Sequence, residues 1–213
     1  MVNSNLKRRI IEIAYKNHLS HLGSYFSCVD TIKKIFDTKH PDDIFILSNG
    51  HAALALYVVL ENIYGHDAEE LFKKHGGHPH LDESNHLYCS TGSLGMGISI
   101  AIGRALANKT RTVHVMMSDG ECAEGVVWES FALINDLNIS NIQIYIMNNG
   151  YSAYRVLDSN ILSRRILGFL NSNVSIISCT SEHFPFLHDL NAHYHILKEQ
   201  DYKLAMELTQ LTQ

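Results

Sequence analysis

Apolar positions at the start of the chain recur at helical spacing. Leu6, Ile10, Ile13 and Ala14 share one face while Lys7, Arg8, Glu12 and Lys16 lie elsewhere, which predicts an amphipathic helix over 5–17. Val29, Ile32, Ile35 and Phe36 keep the same period behind Ser27 and Asp30, which resemble a capping box, and predict a second helix over 28–37. Pro41 interrupts, and the apolar run 44–47 reads as a short strand. Ser48 and Asn49 are placed to cap a third helix that runs to about Tyr64 and stops at Gly65. A short polar helix follows over 67–74. The period then fails over 75–93, where Gly76, Gly77, Pro79, Gly92 and several histidines mark a long loop, and long loops in compact domains are commonly functional.

Periodicity returns over 94–108, where Gly95, Gly97, Ala101, Gly103 and Ala105 suit a helix pressed against a neighbouring backbone. A buried strand is predicted over 112–117, a helix over 121–137 with Val126, Val127, Phe131, Leu133 and Ile134 inward, and an isoleucine-rich strand over 141–147. Beyond 150 the pattern weakens, leaving a strand at 174–178 and a last helix over 202–211. Strand–helix–strand order implies parallel neighbours joined by right-handed crossovers. The expected fold class is α/β, a mainly parallel sheet with helices on both faces, in one domain over 1–213. Ligands of such sheets bind at the carboxyl ends of the strands, which directs attention to the residues after Met117 and Met147.

Composition narrows the function. The chain has 213 residues, 46% of them hydrophobic, so it is long and apolar enough to bury a core without staples. A formal charge of −5 offers no electrostatic footprint for nucleic acid. The longest apolar run, 52–60, is far short of a membrane span, and no apolar segment follows the polar and basic N-terminus to make a secretory signal. Cys28, Cys89, Cys122 and Cys179 are scattered, with no C-x-x-C pair, which reads as reduced thiols in a cytoplasmic protein. The 14 histidines are unusual; those at 75, 78, 80 and 86 fit no familiar zinc spacing and lack cysteine partners. The glycine run over 92–97 departs from dinucleotide-binding order, and no strand precedes it.

The two strand ends read Ser118-Asp119-Gly120 and Asn148-Asn149-Gly150. Either tripeptide alone is a common turn. Together, at the ends of adjacent parallel strands, they set an acid and an amide across one crevice. A Mg²⁺ ion takes oxygen ligands and usually keeps phosphate and water among them, so one carboxylate, one amide oxygen, one backbone carbonyl and a diphosphate would serve it.

This pair of strand ends resembles the thiamine diphosphate motif, GDG followed at the end of the next strand by NN. Ser48-Asn49-Gly50-His51, Gly77-His78-Pro79, Thr91-Gly92-Ser93-Leu94-Gly95 and Glu124-Gly125 each resemble a transketolase segment, in transketolase order, and Ser20-His21-Leu22-Gly23 is similar to that family's early SGHPG. The resemblance runs from about 5 to 155 and implies a thiamine diphosphate-binding fold. It implies Asp119, Asn149 and the Tyr151 carbonyl as ligands of Mg²⁺ (or Ca²⁺), and Gly120 against the diphosphate. It implies His51 and, on a looser match, His193 at the cofactor phosphates, Gly92 and Leu94 beneath its rings, and Glu124 at a subunit interface near the cofactor. His21 and His78 would face the substrate hydroxyls, where imidazole suits proton traffic near neutral pH.

Three departures qualify what the resemblance implies. Ser118 replaces the first glycine of GDG, the region after about 155 is shortened, and the pyrimidine-binding half is absent. The expected protein is therefore the N-terminal subunit of a split transketolase-like enzyme, transferring a two-carbon ketol unit between sugar-type substrates. It needs a separate pyrimidine-domain subunit, in an α₂β₂ assembly. The alternatives are thiamine-dependent acyl or ketol addition to a nucleotide sugar, and a degenerate non-catalytic subunit.

Overall fold

The computed structural model describes residues 4–152, 155–170 and 173–210. In chain order they form α1 (Ser4–Lys16), α2 (Leu22–Thr38), β1 (Ile44–Leu47), α3 (Ala53–Tyr64), α4 (Ala68–His75), α5 (Met96–Ala107), β2 (Val113–Ser118), α6 (Gly125–Asp136), β3 (Ile142–Asn148), α7 (Ser159–Phe169), β4 (Val174–Ser178) and α8 (Glu199–Gln210), with short 3-10 turns between. Their contacts group into a helical unit, drawn from Met1–Asp37, His51–Gly77 and Thr180–Gln213, and a sheet unit, drawn from Thr38–Gly50 and His78–Cys179.

In the helical unit α1 buries the predicted face, Leu6, Ile10, Ile13 and Ala14. α2 corrects the expected start: Leu22, Tyr25 and Phe26 are already on its buried side. Ser27 therefore sits inside the helix and caps nothing, its hydroxyl hydrogen-bonding the carbonyls of Gly23 at 2.6 Å and Thr180 at 2.8 Å. α3 is buried on every side from Ala53 to Leu60 and ends at Gly65, whose φ of 77° lets its N–H close on Glu61. It also corrects the expected cap, since a 3-10 turn separates it from Ser48 and Asn49. Asp67 caps α4 by accepting from the N–H groups of Glu69 and Glu70. α8 packs on α1, with Tyr15 and Tyr202 stacked at 4.3 Å. It begins three residues before the expected start, and the expected Leu211 end lies outside the described residues.

In the sheet unit the four strands lie in the order β1-β2-β3-β4, all parallel. Ile44, Ile46, Val113, Val115, Met117, Ile142, Ile144 and Ile146 line one face and share a core with α5, α6 and α7. Phe45, Leu47, Met116 and Met147, alternating with them, are buried as well. Burial on both faces is why these strands read as continuous apolar runs.

α7 is an element the sequence reading lacked. Only Leu162 and Ile166 of it are buried, while Ile161, Leu167 and Phe169 are exposed, so its hydrophobic period is blurred. Its start signal was present in Asp158, which accepts from the N–H groups of Asn160 and Ile161. The predicted helix over 121–137 divides into a 3-10 turn, Gly120–Ala123, and α6. No helix among the described residues is long and apolar enough to cross a membrane.

Candidate active site

All four strands point the same way, so β2 and β3 deliver their last residues to one edge of the sheet unit. Asp119 follows β2 and is only 1% exposed. Its Oδ1 accepts from the Gly120 N–H at 2.9 Å, and its Oδ2 accepts from the Gly150 N–H, past the end of β3, at 2.8 Å. The two expected strand ends thus meet, through backbone. Burial pushes the Asp119 carboxyl up to about 6, against the opposing pull of the Gly150 and Gly120 N–H groups. No salt bridge reaches Asp119 among the described residues.

A buried carboxylate held only by amide donors fits a hard divalent cation, which would neutralise the charge that burial penalises. Asn149 adds an amide oxygen, which also accepts from the Tyr151 N–H at 2.9 Å. Tyr151 is half-buried and bridges to Val156. The donor set is therefore one carboxylate, one amide and backbone carbonyls, and the residues present fit Mg²⁺ or Ca²⁺. No group of three or more His, Cys, Asp or Glu side chains suited to a metal occurs among the described residues.

Gly120 lies against Ser152, where an added Cβ would meet Cα at 3.4 Å, an ordinary contact. Gly92 has a φ of 132° and open space before it. Beyond it Leu94 is 38% exposed and Met96 49%, so the loop ahead of α5 presents apolar side chains to solvent. Gly97 is pressed on Ser48, where an added Cβ would come within 2.6 Å of backbone. This close approach is the one that the small residues of this helix predict. An added Cβ at Gly50 would lie 2.8 Å from Thr91 Cβ and 3.3 Å from the His78 ring, which brings Gly50, His78 and Thr91 together. Arg104 braces the 78–91 loop by pairing with Glu83 at 2.6 Å and donating to the Tyr88 carbonyl at 3.1 Å. Glu124 sits half-buried at the start of α6.

Glu121 is the residue that the sequence reading passed over as a helix start. It is 0% exposed. Its Oε1 accepts from the Ser48 hydroxyl at 2.6 Å and the Gly95 N–H at 2.9 Å, and its Oε2 accepts from the Ser118 N–H at 2.8 Å. Burial raises its pKa while these donors oppose the rise. The available signal was an acid two residues past a strand end, inside the motif itself. Ser118 turns its hydroxyl toward the same carboxylate, at 3.4 Å. A cavity of about 660 Å³ also opens beside Asp119, walled by Trp128, Ile161 and Phe169 and carrying Arg155, Asp158 and Arg165.

In the helical unit three predicted histidines converge. The His21 and His193 rings meet edge to face at 4.2 Å, and His51 lies 5.6 Å from His21 and 5.4 Å from His193. The His21 N–H donates to the His193 carbonyl at 2.9 Å, and His21 holds a φ of 67°. Burial lowers the His193 pKa, favouring neutral imidazole. Gly23 lets the 180–193 segment close on α2, since an added Cβ would lie 2.8 Å from Ser181 and 3.3 Å from Ala192.

Comparison with known proteins bears on this geometry. Residues 31–154, more than half of the chain, match the family model described as transketolase, thiamine diphosphate binding domain. The chain is 31% identical over 163 residues to one subunit of the apulose-4-phosphate transketolase of Phocaeicola vulgatus, covering 67% of this chain and 58% of that protein. It is 40% identical over 118 residues to transketolase-like protein 2 of Homo sapiens, covering 50% of this chain and 19% of that one. The chain thus spans less than two thirds of each relative. Among solved structures, a transketolase from Campylobacter jejuni superposes on 99% of this chain and 46% of its own length, with a TM-score of 0.69 at 18% identity, which shows a shared fold.

Proposed function

The chain belongs to the transketolase family through its thiamine diphosphate binding domain, and from that premise we propose that it is the N-terminal subunit of a split, thiamine diphosphate-dependent transketolase-like enzyme. In this reading the chain acts as one diphosphate-binding domain, in the cytoplasm, and transfers a two-carbon ketol unit between sugar-type substrates. A separate chain supplies the pyrimidine-binding domain, in an α₂β₂ assembly. The Phocaeicola vulgatus relative is itself named as one subunit of an enzyme, which supports the split.

The observation that carries the reading is the Asp119 carboxylate, buried and bound by the Gly120 and Gly150 N–H groups at the ends of β2 and β3. Asp119, Asn149 and the Tyr151 carbonyl would hold Mg²⁺ or Ca²⁺, with Gly120 beside the diphosphate and Gly92 and Leu94 against the rings. The cofactor, when bound, supplies the electron sink. The protein binds, orients and moves protons: His51 and His193 take phosphate oxygens, and His21 and His78 exchange protons with substrate hydroxyls. Glu124 serves the subunit contact.

Calorimetric titration of thiamine diphosphate with Mg²⁺ into the chain co-expressed with its pyrimidine-domain subunit tests this. Saturable binding that is lost in Asp119→Ala is the expected result. A well-folded complex that takes up no cofactor overturns it and leaves a degenerate subunit.

A further inference from the structure

Glu121 occupies an unusual position for an acid. Its side chain reaches the end of β1 through Ser48, the end of β2 through Ser118 and the N-cap of α5 through Gly95. Every one of these partners donates, and both carboxylate oxygens accept. No salt bridge reaches Glu121 among the described residues, so nothing but hydrogen bonds offsets the burial of its charge. An apolar side chain of similar size would leave the two backbone N–H groups without acceptors. The two oxygens of the carboxyl group accept from both N–H groups at once.

The elements joined in this way carry the proposed cofactor contacts. Gly95 follows Gly92 and Leu94, and its φ of 77° sets the turn into α5. It is packed against α6 as well, for an added Cβ would lie 2.9 Å from Val126 and 3.2 Å from Glu124. Ser118 precedes Asp119, whose two N–H partners lie on either side of the crevice. Gly97 locks the start of α5 on Ser48. The carboxylate thus sets the spacing between the loop that would meet the rings and the turn that would meet the metal and diphosphate.

We propose that Glu121 is a positioning residue for the cofactor, holding the 92–95 loop in fixed register with the Ser118–Asp119 turn through its hydrogen bonds to Ser48, Gly95 and Ser118. This inference rests on the function proposed above. It requires that Glu121 touch neither metal nor cofactor and act only through the groups that it holds.

The test compares wild type, Glu121→Gln and Ser48→Ala in the complex with the pyrimidine-domain subunit, with Asp119→Ala as control. Glutamine keeps the size but turns an N–H₂ toward one of two N–H donors. Ser48→Ala removes one donor and leaves the carboxylate. Titration with thiamine diphosphate and Mg²⁺ is expected to weaken about tenfold or more in Glu121→Gln, as for a lost charge-assisted hydrogen bond, and a few-fold in Ser48→Ala. At saturating cofactor, kcat falls while the sugar KM holds. Amide hydrogen exchange in the cofactor-free protein should rise at Gly95 and Ser118.

A purely structural role predicts a lower melting temperature with unchanged cofactor affinity and kcat, and that result overturns the proposal. If Glu121→Gln does not fold, Ser48→Ala decides by the same affinity criterion. Cofactor binding in wild type that both variants retain in full sinks this inference and leaves the function standing. No binding in wild type sinks both.

Discussion

In the sheet unit two carboxylates, Asp119 and Glu121, lie fully buried and are held mainly by backbone N–H groups, whereas in the helical unit three imidazoles, His21, His51 and His193, meet ring against ring. Ser48, Ser118, Gly120 and Gly150 stand at or just past the ends of parallel strands, so the hydrogen-bonded ladder dictates where most of the donors stand; Gly95, at the N-cap of α5, is the exception. The imidazoles come from the turn before α2, the turn before α3 and the segment before α8, and only helix packing unites them. One arrangement suits a fixed ion; the other gathers imidazoles, of which burial holds His193 toward the neutral form.

The sharpest way to break this contrast is to remove one group from each unit. Asp119→Ala is expected to weaken metal-dependent cofactor binding by about a hundredfold or more, as for losing a charged ligand. His21→Asn should leave cofactor affinity within a few-fold of wild type and lower kcat by roughly 10²–10⁴, the range for a lost acid–base group. Asparagine is chosen because it tolerates the positive φ that His21 holds. Equal loss of cofactor affinity in both variants would erase the division of labour.

Packing offers the next test. Gly97→Ala forces a methyl into Ser48 and should cost about 1–3 kcal/mol, read as a drop of several degrees in melting temperature. A smaller effect belongs to His183 in the helical unit. Burial, aided by the Lys7 charge, brings its pKa down to about 4. Between about 6.5 and 4 the unfolded chain binds the extra proton and the folded one does not, so stability is lost as pH falls through that window. His183→Gln should flatten this dependence by on the order of 1–2 kcal/mol, after allowance for partial exposure. The smallest change is Gly103→Ala, where an added Cβ meets nothing; a gain of about 0.5–1 kcal/mol is expected from helix propensity. Thermal denaturation of the two glycine variants side by side tests whether the glycines of α5 differ as their surroundings do.

Much of the fold was legible because buried parallel strands and amphipathic helices imprint a period on the sequence. β1 and β4 fall at the expected residues, and β2, β3 and α1 within a residue of them. α7 was hidden because exposed Ile161, Leu167 and Phe169 blur its period, and the start of α2 because a serine three residues before an acid imitates a cap. In the candidate site Asp119 and Asn149 were legible from their place after strands, while the histidines were legible only through resemblance to a family.

The sequence alone determined the class of sheet, the strand ends that carry Asp119 and Asn149 and the residue types available there. Local periodicity and turn chemistry carry that information over a few residues at a time. Tertiary structure alone decided that Glu121 is a hub, since its partners Ser48 and Gly95 lie 73 and 26 residues away. It alone decided that His21, His51 and His193 share one cluster, because ring contacts across such separations follow from packing and not from any repeating pattern.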